Sequence, residues 1–225
     1  MKSDTISPAT TVAFGEISVE EHSVPGTVLV AVRTARHPDF DRFVLEFTGP
    51  IPGHRVEYVP ELAQDGSGEP IALPGRAIVR IIVQPAVRPA ESGGLTAPAV
   101  KDFAMFRRIV DAGAFEGVLT WGIGVAEHTG VRVVELDRPS RIAIDVQHAE
   151  PGNGRQLLQH GDRSAGVATW QWRLNQVERL NLAVDEDFGA RTDAATRGFQ
   201  RHHHLSADGI VGPKTRTAMA TALRL

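Results

Sequence analysis

The amino-acid sequence predicts two unequal units, an antiparallel β-sandwich followed by a small three-helix all-α bundle. Three observations lead there. Up to about residue 150 the chain is built of short runs rich in β-branched residues, broken by turns containing Gly and Pro. Beyond residue 166 the apolar spacing changes from alternation to steps of three and four. The sign of the charge changes at the same seam: residues 1–150 carry 14 Lys and Arg against 20 Asp and Glu, and residues 151–225 carry 10 against 7.

Seven runs read as strands: 27–34 (TVLVAVRT), 42–47 (RFVLEF), 55–59 (RVEYV), 76–83 (RAIVRIIV), 117–125 (GVLTWGIGV), 131–136 (VRVVEL) and 141–146 (RIAIDV). In the last, Ile144 and Val146 fall on one face, as a half-buried strand requires. Turn chemistry separates the runs, as at Gly49-Pro50, Pro52-Gly53, 65–68 (DGSG) and Pro74-Gly75. About seven short strands without a helix-length amphipathic segment specify a sandwich. Residues 85–98, with their Pro, Gly and Ser, read as a long surface loop. Residues 149–166 are polar and Gly-rich and read as a linker.

Val167, Trp170, Leu174 and Val177 then mark one face of a first helix. A second helix fits 193–203, with Ala195, Phe199 and His202 on one side, and a third fits 216–223 with Ala218, Met219 and Ala222. A core this small is marginal, so the connecting turns must be tight and well capped. They contain an internal repeat: 185–192 (DEDFGART) and 208–215 (DGIVGPKT) both follow D-x-x-[FV]-G-x-[RK]-T. The expectation is that Gly189 and Gly212 adopt positive φ, Thr192 and Thr215 cap the following helices, Phe188 and Val211 plug the core, and Asp185 and Asp208 accept backbone N–H groups.

The composition narrows the function. The 225 residues include no cysteine, which excludes disulfides, thiolate metal sites and cysteine nucleophiles. No apolar run reaches the ~18 residues of a membrane span, and the first residues lack the apolar core of a signal peptide. No dense basic stripe interleaved with aromatics is present, so nucleic acid is not an expected partner.

From about residue 161 to 223 the chain resembles the peptidoglycan-binding domain often appended to bacterial cell-wall hydrolases. Trp170-Gln171-Trp172-Arg173-Leu174, Asp187-Phe188-Gly189, Thr192, Ala195, Phe199-Gln200 and 205–215 (LSADGIVGPKT) carry the resemblance. Two departures stand out: Glu186 occupies a position where the first repeat usually has Gly, and His203-His204 replace a small residue. The resemblance implies a three-helix fold with non-catalytic binding to the wall polymer. Residues 24–148 resemble the AMIN-like domains of actinobacterial envelope proteins, through Asp41-Arg42 entering an apolar strand and a closing strand running from Arg141 to Asp145. Related domains are β-sandwiches that target amidases and secretion pores to the wall. The expected organisation is therefore a sandwich over 24–148, a linker over 149–166 and a peptidoglycan-binding bundle over 167–225.

Enzymatic alternatives find little support. HExxH and GxSxG are absent. The run His202-His203-His204 cannot converge on one ion from a helix, because neighbours point about 100° apart, and His22, His37 and His54 lie in loops or at strand edges. Asp39 and Asp41 are either a carboxylate pair or, for Asp41, a partner to a neighbouring basic group or a turn residue. No metal and no cofactor are expected. Ligand contact is expected at Trp172, Arg173, Arg191, Arg197, Gln200 and Asp208. Trp172 lies off the first helix's apolar face, so it is either a stacking platform for sugar or peptide or a packing contact against the sandwich. The arginines offer donors to stem-peptide carboxylates. The predicted role is a non-catalytic, extracytoplasmic peptidoglycan-binding protein that anchors itself or a partner to the wall, in a chain trimmed of its export segment. A wall hydrolase or its regulator, and a protein–protein scaffold of an export machine, are the alternatives.

Overall fold

A computed structural model describes residues 15, 17–20, 26–89, 95–150 and 157–224. In chain order the elements are β1 (Ile17–Glu20), β2 (Val28–Arg36), β3 (Phe40–Thr48), β4 (Gly53–Val59), β5 (Leu62–Ala63), β6 (Pro70–Ile71), β7 (Ala77–Gln84), β8 (Phe106–Phe115), β9 (Val118–Val125), β10 (Val131–Leu136), β11 (Ser140–Gln147), α1 (Ala165–Glu178), α2 (Ala190–His202) and α3 (Pro213–Ala222). His22, part of the 85–98 loop and part of the 149–166 linker lie outside the described residues.

All seven runs read as strands form strands. Together with β1 and β8 they pair in antiparallel fashion into a five-stranded sheet ordered β1-β4-β7-β9-β8 and a four-stranded sheet ordered β10-β11-β3-β2. Alternation sends Phe43, Leu45 and Phe47 of β3 and Ile142, Ile144 and Val146 of β11 inward against Val79, Ile81 and Val83 of β7 and Leu119, Trp121 and Ile123 of β9. Each such side chain contributes about 1.5–3 kcal/mol by leaving water. One long strand was not foreseen. In β8 the register shifts twice, between Phe106 and Arg108 and between Asp111 and Gly113, and these bulges erase the alternation that a sequence reader relies on.

The Asp-Arg and Arg-to-Asp strand motifs have structural work to do. Register places Arg132, Asp145 and Arg42 in one row across β10, β11 and β3. Arg42 donates to both oxygens of the fully buried Asp145, at 2.6 and 2.9 Å, and Arg132 donates at 2.6 Å to Oδ2. Both guanidinium groups also lie over the Phe40 ring. Asp41 points the other way, into the end of the sandwich, where it accepts the Met105 and Phe106 amides at 2.6 and 3.1 Å and meets His148 Nε2 at 2.9 Å. Asp39 is exposed and does not join it as a carboxylate pair; of the alternatives for Asp41, the basic partner is the one seen, and it is His148.

The three helices close over Leu158, Val167, Trp170, Leu174, Phe188, Phe199, Val211 and Met219. α2 and α3 begin three residues earlier than periodicity suggested. His202 is a correction: it is exposed and pairs with Glu178 at 2.7 Å, and α2 buries Thr192, Thr196, Phe199 and Gln200 instead. The stretch read as a linker also needs revision, because Leu158 is buried in the bundle and exchanges two backbone hydrogen bonds with Val211.

The first ten residues of α1, Ala165 to Leu174, are all buried. One face serves the bundle; the other serves the sandwich. Ala165 belongs to the sandwich core, and the Trp172 ring meets His148 edge-on with centroids 5.2 Å apart. A helix covered on both sides loses its amphipathic signature.

Candidate functional site

The two repeat turns are the same polar device built twice. In the first, Gln171 Nε2 of α1 donates to Asp185 Oδ1 (2.7 Å), the Asp187 carbonyl (2.9 Å) and Thr192 Oγ1 (3.1 Å), while Gln171 Oε1 accepts the Asp185 amide. In the second, Gln200 Nε2 of α2 donates to Asp208 Oδ1 (2.8 Å), the Ile210 carbonyl (3.0 Å) and Thr215 Oγ1 (3.3 Å), while Gln200 Oε1 accepts the Gly209 amide. Both glutamines are 1% exposed. Every polar atom of each amide is therefore used, which is the condition for burying one without penalty. Asp185 and Asp208 each accept the backbone N–H two residues on, as expected. The bond from the Ile210 amide, followed by Gln200, holds the Asp208 carboxyl below the usual aspartate range. Phe188 and Val211 fill the core, also as expected.

Two expectations about these turns are corrected. Gly189 and Gly212 have φ of −80° and −95° and are themselves the N-caps; Thr192 and Thr215 sit inside the first turn and return their hydroxyls to the carbonyls of Asp187 and Ile210. The left-handed position lies earlier, at Glu186 (φ 67°) and Gly209 (φ 75°). At Gly209 a Cβ would displace the Asp193 carboxylate and the Arg197 guanidinium from their present places, and the positive φ itself favours glycine. Glu186 adopts the same conformation as a residue that rarely does. Its side chain supplies the reason: it receives Arg107 Nη2 at 2.7 Å and Nε at 3.3 Å, and lies 3.2 Å from Arg76. Both arginines belong to the sandwich. The departure from glycine is thus a strut between the two units.

The six residues predicted to touch ligand do not form one site. Gln200, Asp208 and Arg197 gather at the second turn, where Arg197 donates to Asp193 and to the Ala207 carbonyl at 2.8 Å each, and all three are engaged in holding that turn. Arg191 is exposed beside the first turn, where a hollow of about 290 Å³ is lined by Asp185, Asp187 and Leu182 as well. Trp172 is corrected: it is 3% exposed and offers no ring face to a ligand, having taken the packing alternative. Arg173 follows it into the seam. Its guanidinium lies 3.5 Å from Glu150 and 3.8 Å from Asp39, with Nε buried and unbonded among the described residues. Around it opens a cleft of about 430 Å³ between sandwich and bundle, to which α3 contributes Arg216. Glu150 and Arg216 carry no signal in the sequence and Asp39 signals only a different pairing, with Asp41, because the seam that assembles the three is a tertiary feature. Gln171 did carry one, as the mate of Gln200 in the repeat. Among the described residues no three His, Asp or Glu side chains are grouped to hold a metal ion, and no helix is long and apolar enough to cross a membrane.

Comparison with known proteins follows the same division. The AMIN-like domain family matches residues 27–148. The chain belongs to that family. Residues 163–219 match the family described as a putative peptidoglycan binding domain. Among curated proteins, the chain is 33% identical over 64 residues to the spore cortex-lytic enzyme of Halalkalibacterium halodurans, covering 28% of this chain and 19% of that one. It is 45% identical over 49 residues to the N-acetylmuramoyl-L-alanine amidase CwlM of Mycobacterium tuberculosis, covering 22% of this chain and 12% of that one. The matched segments thus span less than a fifth of either relative. Among solved structures, the SleB N-terminal domain is 32% identical with a TM-score of 0.31, covering 33% of this chain and 99% of that domain. The Burkholderia AP3 phage endolysin is 39% identical with a TM-score of 0.28, covering 28% and 24%.

Proposed function

We propose that this AMIN-like protein binds peptidoglycan through its helical unit without cleaving it, and so anchors itself or a partner to the wall from an extracytoplasmic position. The observation that carries the reading is the match of residues 163–219 to a peptidoglycan-binding family, supported by a repeat whose two Gln-centred turns are both intact. Gln171, Gln200, Asp185 and Asp208 are engaged in those turns, whereas exposed donors such as Arg191 and Arg201 and the seam cleft are open to the polymer. The sandwich contributes a second wall contact or the surface that recruits an envelope protein.

Whole protein mixed with intact sacculi is expected to pellet with them; folded protein remaining wholly in the supernatant would falsify the reading. Zymography on wall substrate, with and without chelator, addresses hydrolysis: clearing that chelator abolishes would make the chain an enzyme. Fractionation of cells expressing the native gene tests the location, with the protein expected in the wall fraction.

A further inference from the structure

The cleft between sandwich and bundle has a chemistry that the wall-binding reading alone does not specify. Three arginines line it from the bundle side, Arg173 of α1, Arg216 of α3 and Arg224, and two acids, Asp39 and Glu150, face them from the sandwich. Arg173 is nine-tenths buried, yet its two carboxylate neighbours stand at 3.5 and 3.8 Å, beyond hydrogen-bond length for a charged pair. Its Nε reaches no acceptor among the described residues. A guanidinium taken out of water demands an oxygen partner at 2.7–2.9 Å, and a fork of parallel N–H groups matches a carboxylate. The side chains now opposite it are held loosely: that of Asp39 is 77% exposed and that of Glu150 60%. They are displaced at small cost. The same two acids disfavour a polyanion such as a phosphate chain, which leaves a singly charged carboxylate as the matching guest. At about 430 Å³ the space lies within the roughly 300–1,000 Å³ of small-ligand sites.

We propose that this cleft seats a free carboxylate of a peptidoglycan stem peptide on Arg173, with Arg216 as the second donor, while Asp39 and Glu150 swing aside. The inference rests on the wall-binding reading and names the group recognised. It also gives the seam a purpose: the site exists only when Trp172 and Glu186 hold the two units together.

The test is calorimetric titration of the whole protein with a soluble stem peptide carrying free carboxylates, with the same peptide fully amidated, and with peptide-free glycan strands, alongside sacculus sedimentation. The acid peptide is expected to bind at least tenfold more tightly than its amide. Arg173→Gln should lose that tenfold preference, and Arg173→Lys should retain part of it. The paired change Asp39→Asn with Glu150→Gln should tighten binding of the acid peptide severalfold, a gain that damage to the fold would not produce. If Arg173→Gln fails to fold by circular dichroism, the Lys variant and the paired variant decide. Equal binding of acid and amide, or weaker binding by the paired variant, overturns the cleft while sedimentation with sacculi leaves the wall reading intact. Absence of both sedimentation and peptide binding overturns both.

Discussion

Replacing Glu186 by Ala and by Gly separates two opposed forces at one residue. Its carboxylate is bonded twice to Arg107, both side chains being about four-fifths buried, and once to the half-exposed Arg76. A partly buried charged hydrogen bond of this kind contributes about 1.5 kcal/mol, and the exposed arm adds a few tenths. Against that, a side chain at φ 67° costs about 1 kcal/mol relative to glycine. Ala loses the bonds and keeps the backbone penalty, so Glu186→Ala should lower the melting temperature by roughly 3–6 °C for a chain of this size. Gly loses the same bonds and relieves the penalty, so Glu186→Gly should fall only about 1–2 °C below the wild type. The assay is thermal unfolding followed by near-ultraviolet circular dichroism in low salt, repeated in 0.5 M salt at about a 4 Å Debye length, where the wild-type advantage shrinks. An Ala variant that melts with the wild type means that the strut does not bear load. A Gly variant no better than the Ala variant removes the argument from backbone strain.

Further outcomes follow from other parts of the molecule. Gln171→Ala and Gln200→Ala each strand a buried turn, costing about 2–4 kcal/mol apiece, and amide hydrogen exchange should show the bundle opening in both; protection equal to wild type would contradict the shared network. All three tryptophans are at most 3% exposed, so iodide should quench the fluorescence of the folded protein little, and saturating wall fragments should leave the spectrum nearly unchanged. An exposed stacking Trp172 would give the reverse. In the sandwich, Glu57 is held at about 2 by Arg55 first and Arg80 second, against an ordinary value of 4.5. Because the folded value is the lower one, the stabilisation is complete above about pH 4.5 and drains away as pH falls toward 2. Glu57→Gln should therefore flatten that acid limb by on the order of 1–2 kcal/mol, read from urea midpoints at pH 7, 4 and 2.5.

Much of this architecture is legible residue by residue. The strands with clean alternation, such as 141–146, announce themselves because one face meets a core. The repeated D-x-x-[FV]-G-x-[RK]-T string names both turns because each must satisfy the same buried amide. What escaped is equally specific. β8 hides behind two bulges. The caps were assigned to Thr192 and Thr215 because both a cap and a first-turn hydroxyl use the same residue type, and only φ distinguishes them. The left-handed position falls three residues before the glycine shared by both strings, at a place where the two strings differ in residue type, Glu186 and Gly209.

By itself the sequence determined the two classes of unit, their order, the pairing of apolar faces within each, and the polymer that the helical unit's resemblance implies. Those are consequences of short-range periodicity and turn chemistry, which every residue reports through its immediate neighbours. The tertiary structure alone decided where the units meet. It turned Trp172 from a candidate platform into a seam contact, gave Glu186 its arginine partners from more than seventy residues away, and set Arg173 against Asp39 and Glu150. A helix buried on two sides has no polar face to betray its second partner, and a cleft formed by loops and helices distant in the chain has no period at all. The surface where a ligand would be read is for that reason the last thing a sequence discloses.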